Sequence, residues 1–96
     1  MKILAIIDMA EGAAMDRIRV ELVDELKASW ALFSCGVLRE AYATAQPTRV
    51  VFVMEVRDAA DARASLQTLP LIAAGVFVAE LIELHPFVNW SRLFAA

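Results

Sequence analysis

Four residues have the chemistry to move a proton: Glu40, Tyr42, Glu80 and His85. Glu80 sits between Val78 and Ile82 in a long apolar run. A carboxylate there is costly to desolvate unless paired, and burial raises its pKa toward the range of a useful base. The plainer reading is an ion pair with Arg39 or another arginine, or an exposed position. Glu40 and Tyr42 are two residues apart, so on a strand they share one face and can offer one ligand a base and a hydrogen-bond donor. The plainer reading is an edge strand made polar against aggregation. Arg39 points the other way unless a bulge re-aims it. His85, the only histidine, suits proton transfer near neutrality, but it lies beside Pro86 at a strand end where solvation is common. Glu55 could face the same pocket as Glu40, or pair with Arg57 or Arg49. Cys35 reads as a small buried hydrophobe, because no partner base lies near it in sequence. With one histidine and one cysteine, no metal site of the usual nitrogen and sulfur ligands is expected.

The elements that position these residues follow from hydrophobic periodicity. Lys2 to Asp8 is a β-branched-rich run and reads as a buried strand. Met9 to Ala14 is a loop around Gly12. Met15 to Ser34 reads as a helix whose apolar stripe is Met15, Ile18, Leu22, Leu26, Trp30 and Phe33. Its wet side is Asp16, Arg17, Arg19, Glu21, Asp24, Glu25 and Lys27, and Trp30 and Phe33 are expected in the core. Gly36 falls where a C-terminal glycine cap belongs. Val37 to Thr44 reads as an edge strand and Arg49 to Val56 as a central one. Asp58 caps a second helix to about Leu69, which Pro70 ends. Gly75 bends the chain into the strand Val76 to Leu84, apolar on both faces. The tail after Pro86 carries Phe87, Trp90 and Phe94.

The order is strand–helix–strand, twice. Both halves run from an apolar strand ending in an acid (Asp8, Glu55) through a helix to a Gly-Val that opens the next strand (Gly36-Val37, Gly75-Val76). This pseudo-repeat predicts an α+β, ferredoxin-like βαββαβ domain over residues 1–86. Its four-stranded sheet is antiparallel, with the first and third strands central. Helices cover one face. The other face is also apolar and is expected to meet the sheet of a second subunit.

Composition agrees. The 96 residues fit one domain and are 60% hydrophobic and 22% charged, too apolar a balance for so small a chain to bury alone. A homodimer or higher homo-oligomer is therefore expected, with the tail, residues 87–96, packing across a neighbouring subunit and helping to close its pocket. A net charge of −3 with no basic stripe argues against nucleic acid. The apolar run after Lys2 stops at Asp8, too short for a signal peptide, and no segment is long enough to span a membrane. One cysteine is compatible with a reducing cytoplasm.

Leu69-Pro70-Leu71 after the second helix, the long strand after Gly75, and His85-Pro86 where that strand ends carry a family likeness. The first helix closing at Gly36-Val37 fits it too. The chain resembles muconolactone delta-isomerase and its relatives, small ferredoxin-like proteins that pair as dimeric α/β barrels. The motifs are scaffold signals. The tail from Pro86 to Phe94 departs from the isomerases proper, so the chain looks like a separate branch. The resemblance implies a cofactor-free, metal-free proton shift within an unsaturated lactone or related small ring acid. A base takes a proton next to a carbonyl and an acid returns it elsewhere. A cationic or hydrogen-bonding group holds the carboxylate and developing enolate. Glu80 or Glu40 would move the proton, with Tyr42 or an arginine orienting the substrate. Two alternatives stand beside it: a cofactor-independent oxygenase of the same superfamily acting on an aromatic or polyketide ring, and a non-catalytic oligomeric module binding a small apolar or carboxylate ligand.

Overall fold

The computed structural model describes residues 1–95; Ala96, the last residue of the expected tail, lies outside the described residues. The elements are β1 (Lys2–Met9), α1 (Met15–Ser34), β2 (Leu38–Ala43), β3 (Val50–Glu55), α2 (Ala59–Leu66), α3 (Pro70–Ala73), β4 (Phe77–Leu84) and a 3-10 turn (Val88–Leu93). The strands form one antiparallel sheet in the order β2-β3-β1-β4, an arrangement compatible with a ferredoxin-like fold. The two apolar strands, β1 and β3, are central, as the sequence predicts.

Side-chain alternation divides the sheet. Ile3, Ala5 and Ile7 of β1 and Phe52 and Met54 of β3 are buried, and Phe77, Ala79 and Leu81 of β4 pack against them. Leu32 of α1, Ala62 and Leu66 of α2, and Leu69 and Ile72 complete this core, so the helices lie over one face. The opposite face carries Leu4 and Ile6, Val51 and Val53, and Val78, Ile82 and Leu84, the last three exposed.

The two Gly-Val steps are built alike. Gly36 has φ +86 and Gly75 φ +75, a left-handed backbone that glycine adopts without a Cβ penalty. Val37 N–H donates to Leu32 O and Gly36 N–H to Phe33 O; Val76 N–H donates to Leu71 O and Gly75 N–H to Ile72 O. Each is a Schellman closure, which satisfies the last carbonyls of a helix and launches a strand. The pseudo-repeat in sequence is thus a repeat of helix-to-strand turns.

Three expectations need correction. First, Pro70 does not simply end a helix: α2 stops at Leu66, and Pro70 occupies the first turn of the short α3. Proline is well suited there, because that N–H has no helical partner to lose. Second, α1 is turned by about one residue, some 100°, from the expected stripe. Its inward line is Ile18, Glu21, Glu25, Ala28 and Leu32, whereas Met15, Leu22, Leu26, Trp30 and Phe33 are exposed. Trp30 and Phe33 are therefore not core, and Glu25 is not on the wet side. Third, Cys35 is exposed rather than buried.

Candidate active site

The open sheet face collects three of the four sequence-predicted residues. Strand register sets Tyr42 opposite Val51, Val51 opposite Ile6, and Ile6 opposite Glu80, in one row across all four strands. The next row runs from Glu40 through Val53 and Leu4 to Ile82. A bulge between Leu38 and Glu40 fixes which side chains of β2 reach this face. Arg39 at the bulge donates to Gly36 O at 2.6 Å. Tyr42 donates its hydroxyl to Glu40 Oε1 at 2.5 Å, and that hydrogen bond to a carboxylate pushes the phenol pKa up. Glu80 is exposed, so the desolvation expected of it is not met; it makes no salt bridge among the described residues, but its charge reaches Arg49 and helps raise the guanidinium pKa. Glu55 faces the N-terminal amino group at 3.3 Å rather than Arg57 or Arg49.

At the end of this face Arg49 grips Asp8 with two hydrogen bonds, Nε to Oδ1 at 2.7 Å and Nη2 to Oδ2 at 2.8 Å. A fork-on-fork pair of this kind is the strong geometry for arginine and carboxylate. It holds the Asp8 carboxyl below its usual range and raises Arg49 further. His85 stands apart from both rows. It is exposed, 3.5 Å from Glu83 Oε2.

The other face of the sheet holds a group the sequence reading missed. Between α1 and the strands lies a cavity of about 300 Å³, lined by Ile7, Leu22, Glu25, Leu26, Ser29, Ala41, Val50, Phe52, Leu69 and Phe77. Glu25 is the one ionisable residue in that lining. It is 6% exposed, the only charged residue buried to that degree among the described residues. Its Oε1 accepts a hydrogen bond from Leu71 N–H at 2.8 Å. Its Oε2 has no protein donor among the described residues. Burial pushes the Glu25 pKa up; the Leu71 N–H partly offsets this, and the charge of Glu21, one turn before it, adds to the rise. Ser29, the other polar lining group, spends its hydroxyl on Leu26 O of its own helix.

A sequence signal for Glu25 exists. Ile18, Glu25 and Leu32 recur every seven residues, which keeps them on one side of a helix. A carboxylate midway between two inward residues had to be inward itself. The larger residues at 22, 26, 30 and 33 make the stronger periodic pattern, and it lies on the neighbouring face.

Such an arrangement can do general acid–base chemistry. A carboxyl whose pKa is lifted by an apolar cavity exchanges protons nearer neutrality, and the apolar walls suit a small ring. No cluster of three or more His, Cys, Asp or Glu side chains able to hold a metal ion occurs among the described residues. No helix among them is long and apolar enough to cross a membrane. Neither a protein-family model nor a curated protein sequence matches the chain at a significant level.

Proposed function

We propose that the protein is a cofactor-independent isomerase that shifts a proton within an unsaturated lactone or related small ring acid, with Glu25 as the base. The observation that carries this reading is the side chain of Glu25, a residue only 6% exposed, lining the apolar cavity with one oxygen fixed by Leu71 N–H and the other without a protein donor. One carboxylate is enough for a shift on a single face of a ring. Oε2 takes a proton from the carbon next to the carbonyl, leaving a dienolate. The resulting acid, in exchange with solvent, returns a proton to the far carbon of the conjugated system. Bond-making balances bond-breaking, so neither a redox partner nor a second substrate is needed.

The open face supports the second half of the reading, a homodimer with two sheets face to face. Leu4, Ile6, Val51, Val53, Val78, Ile82 and Leu84 give that face an apolar surface suited to a like partner. Glu40, Tyr42 and Glu80 then belong to an interface rather than to the proton shift, and His85 to the solvated end of β4. The single cysteine favours a reducing compartment, the cytoplasm.

The test is a screen in heavy water. Muconolactone, simple butenolides and cyclic enones are incubated with the purified protein and followed by NMR. Enzyme-dependent deuterium uptake or double-bond migration is the expected result. Absence of exchange across the panel overturns the isomerase reading, and oxygen uptake with an activated phenol would transfer it to the oxygenase alternative.

A further inference from the structure

The tail after β4 has no place on its own domain. Residues 85–95 are exposed throughout. Phe87 and Trp90 pack edge-on with ring centroids 5.1 Å apart, and both are exposed, as are Leu93 and Phe94, at 76% and 84%. The molecule measures 60 × 30 × 20 Å, and its radius of gyration is 15.7 Å. A compact chain of this length has a radius of gyration of about 12 Å, so the tail stands off the fold.

A surface that fits it lies on the outer side of α1. Leu26, Ser29, Trp30, Phe33, Leu38, Ala41 and Phe52 line a groove of about 430 Å³ at the β2 edge of the domain. Trp30 and Phe33 form its outer wall as a stacked pair with centroids 5.3 Å apart. They are the residues that the rotation of α1 leaves uncovered. Four of the groove residues, Leu26, Ser29, Ala41 and Phe52, also line the Glu25 cavity. The groove therefore adjoins the cavity along these four residues.

We infer that the tail of a second copy of this chain, Phe87 to Phe94, seats its aromatic side chains in the Trp30–Phe33 groove and closes the Glu25 cavity on that side. Area supports a stable seat. Three aromatic side chains and two aliphatic ones, each mostly exposed, bring roughly 600 Å² of apolar tail surface to the groove. Exchange in both directions between two copies, counting groove and tail, buries on the order of 2,000 Å², above what a specific interface requires. The occupant is a second copy because the tail leaves from β4 and the groove lies beside β2, at opposite edges of the sheet. A site closed in this way is complete only in the oligomer. The docking stands on its own observations; that closure serves proton transfer rests on the function proposed above.

Cross-linking decides it with the full chain. Cys35→Ser removes the native thiol. Ser29→Cys is then placed in one preparation and Ser91→Cys in another, both polar positions, Ser29 where groove and cavity adjoin and Ser91 in the tail. Mild oxidation of the mixture should give a covalent dimer joining one chain of each kind, in preference to either like pair. A chain bearing both substitutions that closes only on itself would overturn the proposal, and so would absence of the mixed dimer. Proton exchange is read separately on wild type and on Trp90→Ala/Phe94→Ala. Loss of exchange with that variant is the expected result, and unchanged exchange would overturn the closure. Mixed dimers without exchange from any form, wild type included, would keep the docking and remove the isomerase reading.

Discussion

Glu25 and Leu71 lie 46 residues apart in sequence and are joined by one hydrogen bond, Leu71 N–H to Glu25 Oε1, at 2.8 Å. That bond ties the middle of α1 to the first turn of α3 and holds a carboxylate where burial would otherwise expel it. A buried charge is tolerated when hydrogen-bonded and costly when not. Oε2 takes no protein donor and, with no orphaned buried side-chain polar atom among the described residues, keeps contact with solvent, while burial of the side chain still raises the pKa and leaves the carboxyl available for chemistry.

Stability should therefore fall as pH rises past the ordinary glutamate range. The folded-state pKa of Glu25 is raised above its unfolded value. Its contribution is fully present below the unfolded pKa, where both states are protonated. It is lost as pH climbs through the folded value, because the unfolded chain releases its proton first. Glu25→Gln keeps an acceptor for Leu71 N–H and removes the charge. Its Tm should drop less than that of wild type between acid and neutral pH, as measured by thermal melts across that range.

Activity should run in the opposite direction with pH. The base must be ionised to take a proton, so the exchange rate should rise with pH through the elevated Glu25 pKa and then level off. The rate–pH profile of wild type checks this. Glu40→Gln and Glu80→Gln should leave that limb in place, since both side chains lie on the far side of the sheet from the cavity.

Leu71 is fully buried beneath α1, and its own N–H holds Glu25. Leu71→Ala should cost about 2–5 kcal/mol of stability, the range for removing a buried leucine side chain. Denaturant unfolding measures it. The N–H remains, so the pH dependence assigned to Glu25 should persist in the variant.

The open sheet face should carry the subunit contact. Val53→Lys puts a charge in the middle of that face, between Leu4 and Glu40 in the strand register. Charges at the centre of an apolar interface are disfavoured. With the tail contact removed by Trp90→Ala/Phe94→Ala in the same chain, light scattering should report a lower mass on adding Val53→Lys with unchanged circular dichroism, and an unaltered mass would remove the face-to-face dimer.

The fold was largely legible because the local signals agree with one another. Gly36 and Gly75 mark positive-φ turns that few other residues adopt readily, and Asp58 accepts from Asp61 N–H at 2.8 Å as its spacing predicts. The candidate site was less legible because it depends on helix rotation. One residue of error in the facing of α1 exchanges Leu26 for Glu25 and hides the only buried charged group among the described residues. Helical periodicity assigns a buried face to the bulkiest stripe, which is correct for a helix whose apolar residues all face its own core. Here Leu22, Leu26, Trp30 and Phe33 form a stripe of their own, and in a monomer nothing covers it. Small residues, Ala28 and Ser29, let α1 approach the sheet along the neighbouring line instead. Glu40 and Tyr42 were legible as a pair from strand alternation, whereas Glu80 joins them only through the strand register. The exposure of all three was not legible, because it depends on what covers the sheet.

The central claim is that Glu25 moves the proton, and solvent deuterium uptake into a butenolide tests it most directly. Wild type, Glu25→Gln, Glu40→Gln and Glu80→Gln are compared at neutral pH on one substrate by NMR. The account predicts exchange from wild type, Glu40→Gln and Glu80→Gln, and a loss of about 100-fold or more from Glu25→Gln, the usual scale of a general base. Full exchange from Glu25→Gln, with loss from Glu40→Gln or Glu80→Gln, would contradict it and move the chemistry to the open face of the sheet.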